Sequence, residues 1–238
     1  MVRYRAASAM APIAFDRHGV PGTIELVDDF VTFGADVVLT STTGAVQSDL
    51  DWQSGALAVS SGLISIKVAE SDHQGIVTLA TVLPTSSTDC VRLNFGRAAA
   101  GETDEAFFLD TNGLYIATIL RIPSVTATDV SFGLMGVATT GATELPSGSS
   151  LDYIGWTYDN TDTATTWIAQ VNGAGTDVEQ AAALTYVAND WVLLEIAADT
   201  SGVTFRITTE DDTETITLNS ADGSVEPVVA LRPAYVVS

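Results

Sequence analysis

Residues 190–218 read DWVLLEIAADTSGVTFRITTEDDTETITL, and this stretch combines strand signals, a turn and a cluster of acidic residues. The runs on either side of DTSG (199–202) are rich in β-branched and large apolar residues, which favour strands. In the turn, the aspartate starts the chain reversal and the glycine tolerates a positive φ. The stretch therefore predicts a β-hairpin that joins Ile196 to Val203.

Strand candidates recur along the rest of the chain. In GLISIKVAE (62–70) apolar and polar side chains alternate, which is the period of a half-buried strand. GLYIATILRI (113–122) is apolar on both faces and predicts a central strand that is packed on both sides. VEQAAAL (178–184) is helix-like but short, which favours a single turn or an edge strand.

The order of these segments predicts the fold class. About ten strand candidates follow one another through hairpins and medium loops, without helices between them. Such connections give antiparallel sheets, and two stacked sheets bury both apolar faces. We therefore predict an all-β, two-sheet antiparallel β-sandwich over residues 25–238, behind an extended N-terminal arm over residues 1–24.

The composition limits the partners of the protein. The formal net charge of -21 over 238 residues repels nucleic acid and anionic membranes. No apolar run approaches the roughly 18 residues that a transmembrane helix needs. The single cysteine, Cys90, excludes an intrachain disulfide, and together with His18 and His73 it makes a poor set of zinc ligands. We expect neither a nucleic-acid nor a membrane partner, and no zinc site.

The first residues of the chain differ from the rest in charge. Arg3, Arg5 and Arg17 lie within the first 20 residues against one acidic residue, Asp16. A basic arm on an acidic body can lie along an acidic groove of another protein or of a second copy. The alternative is a solvated start of the chain that contacts nothing.

The order of the strands resembles the concanavalin A-like (LamG-type) jelly roll, in the form found in structural proteins of tailed phages. The matching stretches run from residue 113 to residue 234: GLYIATILRIPSVTATDVSFGLMG (113–136), DYIGWTYD (152–159), WIAQVNGAG (167–175), NDWVLLEIAADTSGVTFRI (189–207) and VEPVVALRPA (225–234). The resemblance implies a capsid decoration (cement) protein that binds the outside of the phage head and stabilises its lattice. Its implied partners are the major capsid protein and further copies of itself in a homotrimer, and its implied location is the virion surface. In this interpretation Arg3, Tyr4, Arg5 and Arg17 contact the capsid or a sister subunit.

A lectin-like carbohydrate-binding module, or a tail or receptor-binding fibre domain, is the alternative function. Trp156, Tyr158 and Trp167 are the candidate sugar platform, because aromatic rings stack on the flat faces of sugars. Trp156 and Tyr158, however, share a side of their strand with Ile154, which favours a place in the core.

A glycoside hydrolase is a further alternative, because family 16-like glycosidases share this fold. They carry Glu-x-Asp-x-Glu on one strand, with apolar residues between the carboxylates. Glu210, Asp212 and Glu214 have that spacing, but Asp211 and Thr213 stand where apolar residues are required. The segment also falls where a hairpin turn is expected. We therefore predict a solvated acidic turn and a protein that is not an enzyme.

Acidic loops leave calcium as an open alternative to the absence of any cofactor. DNTDT (159–163) and the pair Asp28 and Asp29 offer oxygen ligands. Calcium takes six to eight oxygens, usually drawn from several loops, and each of these runs supplies too few by itself. The sequence therefore predicts no resident cofactor or metal.

Overall fold

The computed structural model describes residues 37–39, 44–45, 52–57, 61–66, 77–82, 90–95, 113–124, 128–136, 152–160, 166–173, 176–219 and 231–237. These residues form strands and turns, and none of them is helical. No helix in this part of the chain is therefore long and apolar enough to cross a membrane. The predicted arm, residues 1–24, lies outside the described residues.

The strands vary in length from two to ten residues. In chain order they are β1 (Val37–Leu39), β2 (Gly44–Ala45), β3 (Trp52–Leu57), β4 (Ser61–Ile66), β5 (Val77–Val82), β6 (Cys90–Phe95), β7 (Leu114–Leu120), β8 (Val130–Gly136), β9 (Tyr153–Tyr158), β10 (Thr166–Gly173), β11 (Thr176–Thr185), β12 (Val192–Asp199), β13 (Gly202–Thr208), β14 (Thr213–Asn219) and β15 (Leu231–Val237).

Antiparallel pairing organises these strands into two main sheets and a small third one. The larger sheet has the order β11-β10-β9-β8-β15-β6-β3-β2, and the smaller main sheet has the order β14-β13-β12-β7. β1, β4 and β5 form the third sheet. The all-β, antiparallel jelly-roll sandwich predicted from the sequence is confirmed. The segment 178–184 belongs to the edge strand β11, which is one of the two alternatives predicted for it.

The hairpin predicted from residues 190–218 is β12 followed by β13. Their pairing runs from Leu193 opposite Thr208 to Asp199 opposite Gly202. The Asp199 carboxylate accepts hydrogen bonds from the backbone N–H of Ser201 (2.7 Å) and from its hydroxyl (2.5 Å). These hydrogen bonds lower the pKa of Asp199, because they stabilise the ionised carboxylate. The turn therefore forms for the reason that the sequence indicated.

The core lies between the two main sheets. Side chains on one face of β8, β9 and β10 meet side chains on one face of β7, β12 and β13. Trp156 packs edge-on against Phe205 with the ring centroids 5.4 Å apart, and its Nε1 donates to the backbone carbonyl of Glu195 at 3.2 Å. The same alternation places the other residues of the four-stranded sheet on the face that points away from the core.

Glu214 links the two main sheets at their edges. The pairing of β10 with β11 shifts between Thr166 opposite Thr185 and Ile168 opposite Ala181, so β11 bulges at this point. The backbone N–H groups of Ala183 and Leu184, within this bulge, donate to Glu214 Oε1 (3.0 Å) and Oε2 (2.9 Å). One carboxylate on the edge strand β14 therefore satisfies two amides of the edge strand β11.

Glu214→Ala should lower the free energy of unfolding by about 1 kcal/mol, because it removes two charge-assisted hydrogen bonds in a partly solvated place. Urea unfolding of the variant and of the wild-type protein measures the difference. Glu210→Ala is the matched control, since Glu210 is exposed in the neighbouring turn, and it should change stability by less than about 0.5 kcal/mol. Equal effects of the two substitutions would show that Glu214 does not join the sheets.

Candidate functional site

A cavity of about 490 Å³ lies on the outer face of the four-stranded sheet. Its described lining residues come from all four strands: Tyr115 from β7, Glu195 and Ala197 from β12, Thr204 and Arg206 from β13, and Thr213 and Thr215 from β14. They alternate along their strands with the core residues Leu194, Ile196 and Phe205 and with Ile116, which is partly buried against the core. Because successive side chains of a strand point to opposite faces, the same strands supply the core on one face and the cavity lining on the other.

A buried carboxylate occupies the centre of the lining. The side chain of Glu195 is 3% exposed, although it points away from the core. Tyr115 donates its hydroxyl to Glu195 Oε1 at 2.5 Å, and Arg206 Nε lies 3.7 Å from Glu195 Oε2. A carboxylate that is removed from water needs such partners, because burial without them is costly. The phenol and the guanidinium therefore hold the carboxylate in one position.

The strand register brings these three side chains together. Glu195 lies directly opposite Arg206 in the β12–β13 hairpin. On the other side of β12, Tyr115 lies opposite Ala197, which places the phenol diagonally across from Glu195. Such diagonal neighbours on a sheet are within reach of a long aromatic side chain. Because regular strands hold all three residues, the group is fixed before any ligand arrives.

Threonines form the rest of the polar lining. Thr204, Thr213 and Thr215 line the cavity, and the Thr213 hydroxyl donates to Thr208 Oγ1 at 3.2 Å. Each threonine hydroxyl can both donate and accept, while its methyl group adds apolar surface beside Ala197. The cavity thus combines a carboxylate, a cation, a phenol, hydroxyls and apolar patches, and this set suits a small polyhydroxylated ligand.

The acidic residues that the sequence put forward for hydrolysis do not converge. Glu210 and Asp211 are exposed in the turn between β13 and β14, which the backbone N–H of Thr209 closes by donating to the carbonyl of Asp212 at 2.9 Å. The predicted acidic turn is confirmed for these residues. Glu214 is different, because it lies in β14 and binds the amides of β11. Glu210 and Glu214 therefore do not form the carboxylate pair that the glycosidase alternative would require of this segment.

The candidate sugar platform belongs to the core. Trp156, Tyr158 and Trp167 are all fully buried. Tyr158 and Trp167 pack against each other and against Tyr186, with ring centroids 5.5 to 6.2 Å apart. The interpretation of these aromatic residues as core is confirmed, and a platform made of them is excluded.

Several other candidates fall outside the part of the chain that the structure describes. These are the arm residues Arg3, Tyr4, Arg5 and Arg17, the histidines His18 and His73, and the candidate calcium ligands Asp28, Asp29 and Asp162. Asn160 is described, and its backbone N–H donates to Asp129 Oδ1 at 2.6 Å. Among the described residues no group of three or more histidines, cysteines, aspartates or glutamates could hold a metal ion.

Sequence reasoning missed the Tyr115, Glu195 and Arg206 group, although part of its signal was present. Glu195 interrupts an apolar strand and Arg206 interrupts the next one. The predicted turn places both four positions from the hairpin end, and they therefore face each other. Tyr115 could not be found in this way, because its strand is paired with β12 across about 80 residues of chain.

Comparisons with known proteins place this architecture among solved jelly-roll structures. Neither the protein-family comparison nor the comparison with curated proteins gives a match for this chain. A protein of unknown function from Shewanella oneidensis MR-1 is similar with a TM-score of 0.49 and 12% identity, over 92% of this chain and 94% of that one. The catalytic domain of an endo-1,3-beta-glucanase (laminarinase) from Thermotoga petrophila RKU-1 has a TM-score of 0.45 and 11% identity, over 90% and 86%. A glycoside hydrolase family 16 enzyme of the mixed linkage glucan PUL of Bacteroides ovatus has a TM-score of 0.42 and 11% identity, over 88% and 84%.

The fold is that of a concanavalin A-like jelly-roll β-sandwich. This part of the sequence resemblance is confirmed, while the phage decoration role stays a prediction. The expectation that the protein is not an enzyme is contradicted by these comparisons, in which glucanases of family 16 share the fold of this chain. The expectation rested on Glu210, Asp212 and Glu214, and the fold itself is shared with glucanases.

Proposed function

We propose that the protein binds a carbohydrate in the cavity on the outer face of the four-stranded sheet. The observation that carries the proposal is the buried Glu195 carboxylate, held by Tyr115 and Arg206 in the wall of a cavity of about 490 Å³. That volume falls within the range of about 300–1,000 Å³ that is usual for small-ligand sites.

The lining groups match the chemistry of a sugar. A carboxylate accepts hydrogen bonds from hydroxyl groups and a guanidinium donates to hydroxyl oxygens, and such charge-assisted bonds are about twice as strong as neutral ones. Thr204, Thr213 and Thr215 add hydroxyls that can either donate or accept a hydrogen bond. Ala197, the threonine methyl groups and the Tyr115 ring supply apolar contact for the C–H faces of a pyranose.

The charge of the protein favours a neutral saccharide. The net charge of -21 repels polyanionic glycans before they reach the surface. Among the described residues that line the cavity Arg206 is the one cation, and it already lies beside Glu195. A neutral oligosaccharide meets no such opposition, and its binding should change little with ionic strength.

Calorimetric titration with neutral gluco-oligosaccharides, including β-1,3-linked and mixed-linkage ones, tests the proposal, with a glycan array to widen the panel. Arg206→Met should weaken binding about tenfold, because it removes charge-assisted donors from the cavity. Thr215→Val should weaken binding by a few-fold through the loss of one hydroxyl. Thr217→Val is the matched control, since Thr217 is exposed on the same strand and is not among the cavity's lining residues, and it should leave the affinity unchanged.

Two results would contradict carbohydrate binding in this cavity. One is the absence of binding across the array for a protein whose urea unfolding is cooperative. The other is binding that Arg206→Met and Thr215→Val leave intact, because the ligand would then occupy another place.

A second candidate is a virion surface protein that decorates the capsid. The observation that favours it is the sequence resemblance, whose stretches between residues 113 and 234 coincide with β7, β8, β9, β10, β12, β13 and β15. In this role the partner is the major capsid protein, the protein is a homotrimer, and Arg3, Tyr4, Arg5 and Arg17 make the contact. A protein that binds only the assembled shell stabilises it by mass action.

Sedimentation of expanded, undecorated phage heads with the purified protein tests the second candidate. The protein should sediment with the heads, and deletion of residues 1–24 should abolish this, because the arm carries the basic contacts. A variant with Arg3, Arg5 and Arg17 replaced by alanine separates loss of charge from loss of the arm. The contact assigned to the arm would be contradicted if no protein sedimented with the heads. It would also be contradicted if the same amount of protein sedimented with and without residues 1–24.

A further inference from the structure

We propose that Tyr115 is the nucleophile of a glycoside-cleaving reaction in this cavity, with Glu195 as its general base. This inference rests on the proposed carbohydrate site and adds a chemical step to it. It is a proposal about a phenol and a carboxylate on β7 and β12, and it does not use the acidic turn at 210–212.

The first argument is the position of the phenolic proton. Tyr115 lines the cavity and is partly exposed, while its hydroxyl donates to Glu195 Oε1 at 2.5 Å. A nucleophile that is weak in its neutral form is activated when an atom of a base lies within hydrogen-bond reach of it, about 2.6–3.2 Å between heavy atoms. The cavity therefore holds a phenol whose proton already faces an acceptor.

The second argument is the number of carboxylates. Most glycosidases use two carboxyl groups, which are about 5–5.5 Å apart when the configuration is retained. Among the described residues that line the cavity, Glu195 is the one carboxylate. A tyrosine nucleophile is one of the known exceptions to this scheme, and sialidases use it. The lining fits that exception.

The third argument is the environment of the base. The Glu195 side chain is 3% exposed, and Arg206 Nε lies 3.7 Å from the oxygen that the phenol does not bind. The guanidinium attracts Oε2, so that Oε1 stays directed at Tyr115. For the chemical step Arg206 is a positioning residue, because it acts on the phenol through Glu195, in addition to its contact with the saccharide.

The reaction would proceed in two steps. In the first, the Tyr115 oxygen forms a bond to the anomeric carbon, its proton passes to Glu195, and the bond from the anomeric carbon to the leaving oxygen breaks with its electron pair. In the second, water attacks the anomeric carbon, and the tyrosine oxygen leaves and regains the proton from Glu195, while one water proton passes to solvent. The products are the free sugar and the aglycone anion. Aryl glycosides are the suitable substrate class, because an aryl oxide leaves without an acid to protonate it.

Covalent trapping tests the proposal directly. Fluorine at C2 slows breakdown of the glycosyl intermediate, so a panel of 2-deoxy-2-fluoro glycosyl fluorides should label the full chain once per molecule. Peptide mass spectrometry should place the sugar on Tyr115. Tyr115→Phe should abolish the adduct, and Glu195→Gln should slow its formation about 100-fold, which is the usual contribution of a general base.

Controls separate chemistry from folding and from binding. Tyr235→Phe removes a different hydroxyl, which donates to Thr118 Oγ1 at 3.0 Å, and should label as the wild-type protein does. Calorimetry with neutral oligosaccharides and urea unfolding of Tyr115→Phe separate loss of the adduct from loss of binding or of folding. Arg206→Met should slow labelling. The rate of labelling of this variant should also depend on pH differently from that of the wild-type protein.

The outcomes distinguish this inference from the proposed function. Saccharide binding without an adduct, and without release of 4-nitrophenol from a panel of 4-nitrophenyl glycosides, would overturn the nucleophile and leave the binding site standing. An adduct on a residue other than Tyr115, or labelling that persists in Tyr115→Phe, would also overturn it. Absence of both binding and labelling would overturn the two proposals together.

Discussion

The buried carboxylate of Glu195 constrains the four-stranded sheet, because the neighbouring strands must supply its partners. β12 is an inner strand of that sheet, and it forms antiparallel pairs with β7 on one side and β13 on the other. Its inward residues, such as Leu194 and Ile196, are fully buried in the core, and between them Glu195 points outward and is almost as buried. Charge at such a place is stable only with partners, and the two neighbouring strands each provide one, Tyr115 and Arg206.

This arrangement makes the site and the fold depend on each other. A slip of one residue in the β12–β13 register would turn Glu195 toward the core and separate it from Arg206. The backbone carbonyl of Glu195 also accepts the hydrogen bond from Trp156 Nε1, a fully buried ring of the opposite sheet. Glu195 thus contacts the packed interior through its backbone and the cavity through its side chain. The closely packed core therefore also restrains the wall of the cavity.

The sequence predicted those features that depend on local pattern. Two apolar runs and a DTSG turn predicted the β12–β13 hairpin. The side that Trp156 and Tyr158 share with Ile154 on their strand predicted that both are in the core. The exposed acidic turn at 210–212 followed from the polar residues between its carboxylates. In each case the deciding interactions lie within a few residues or within one strand period.

The features that the sequence did not predict depend on distant pairing. Tyr115 reaches Glu195 only because β7 pairs with β12, and Glu214 reaches Ala183 and Leu184 only because a bulge turns their amides toward β14. Local periodicity carries no information on which strands become neighbours, and it does not locate a bulge in an edge strand. A site built across four strands therefore stays hidden until the topology is known.

Whether the Tyr115 hydroxyl and the Glu195 carboxylate stabilise each other is measured most directly by a double-mutant cycle. The cycle combines Tyr115→Phe with Glu195→Met, and urea unfolding gives the free energy of unfolding of each variant. If the Tyr115 hydroxyl and the Glu195 carboxylate form the interaction that organises this face, the two substitutions should be coupled by about 1–3 kcal/mol. If their effects on the free energy of unfolding add within about 0.5 kcal/mol, the two groups do not stabilise each other, and the account of the site is contradicted.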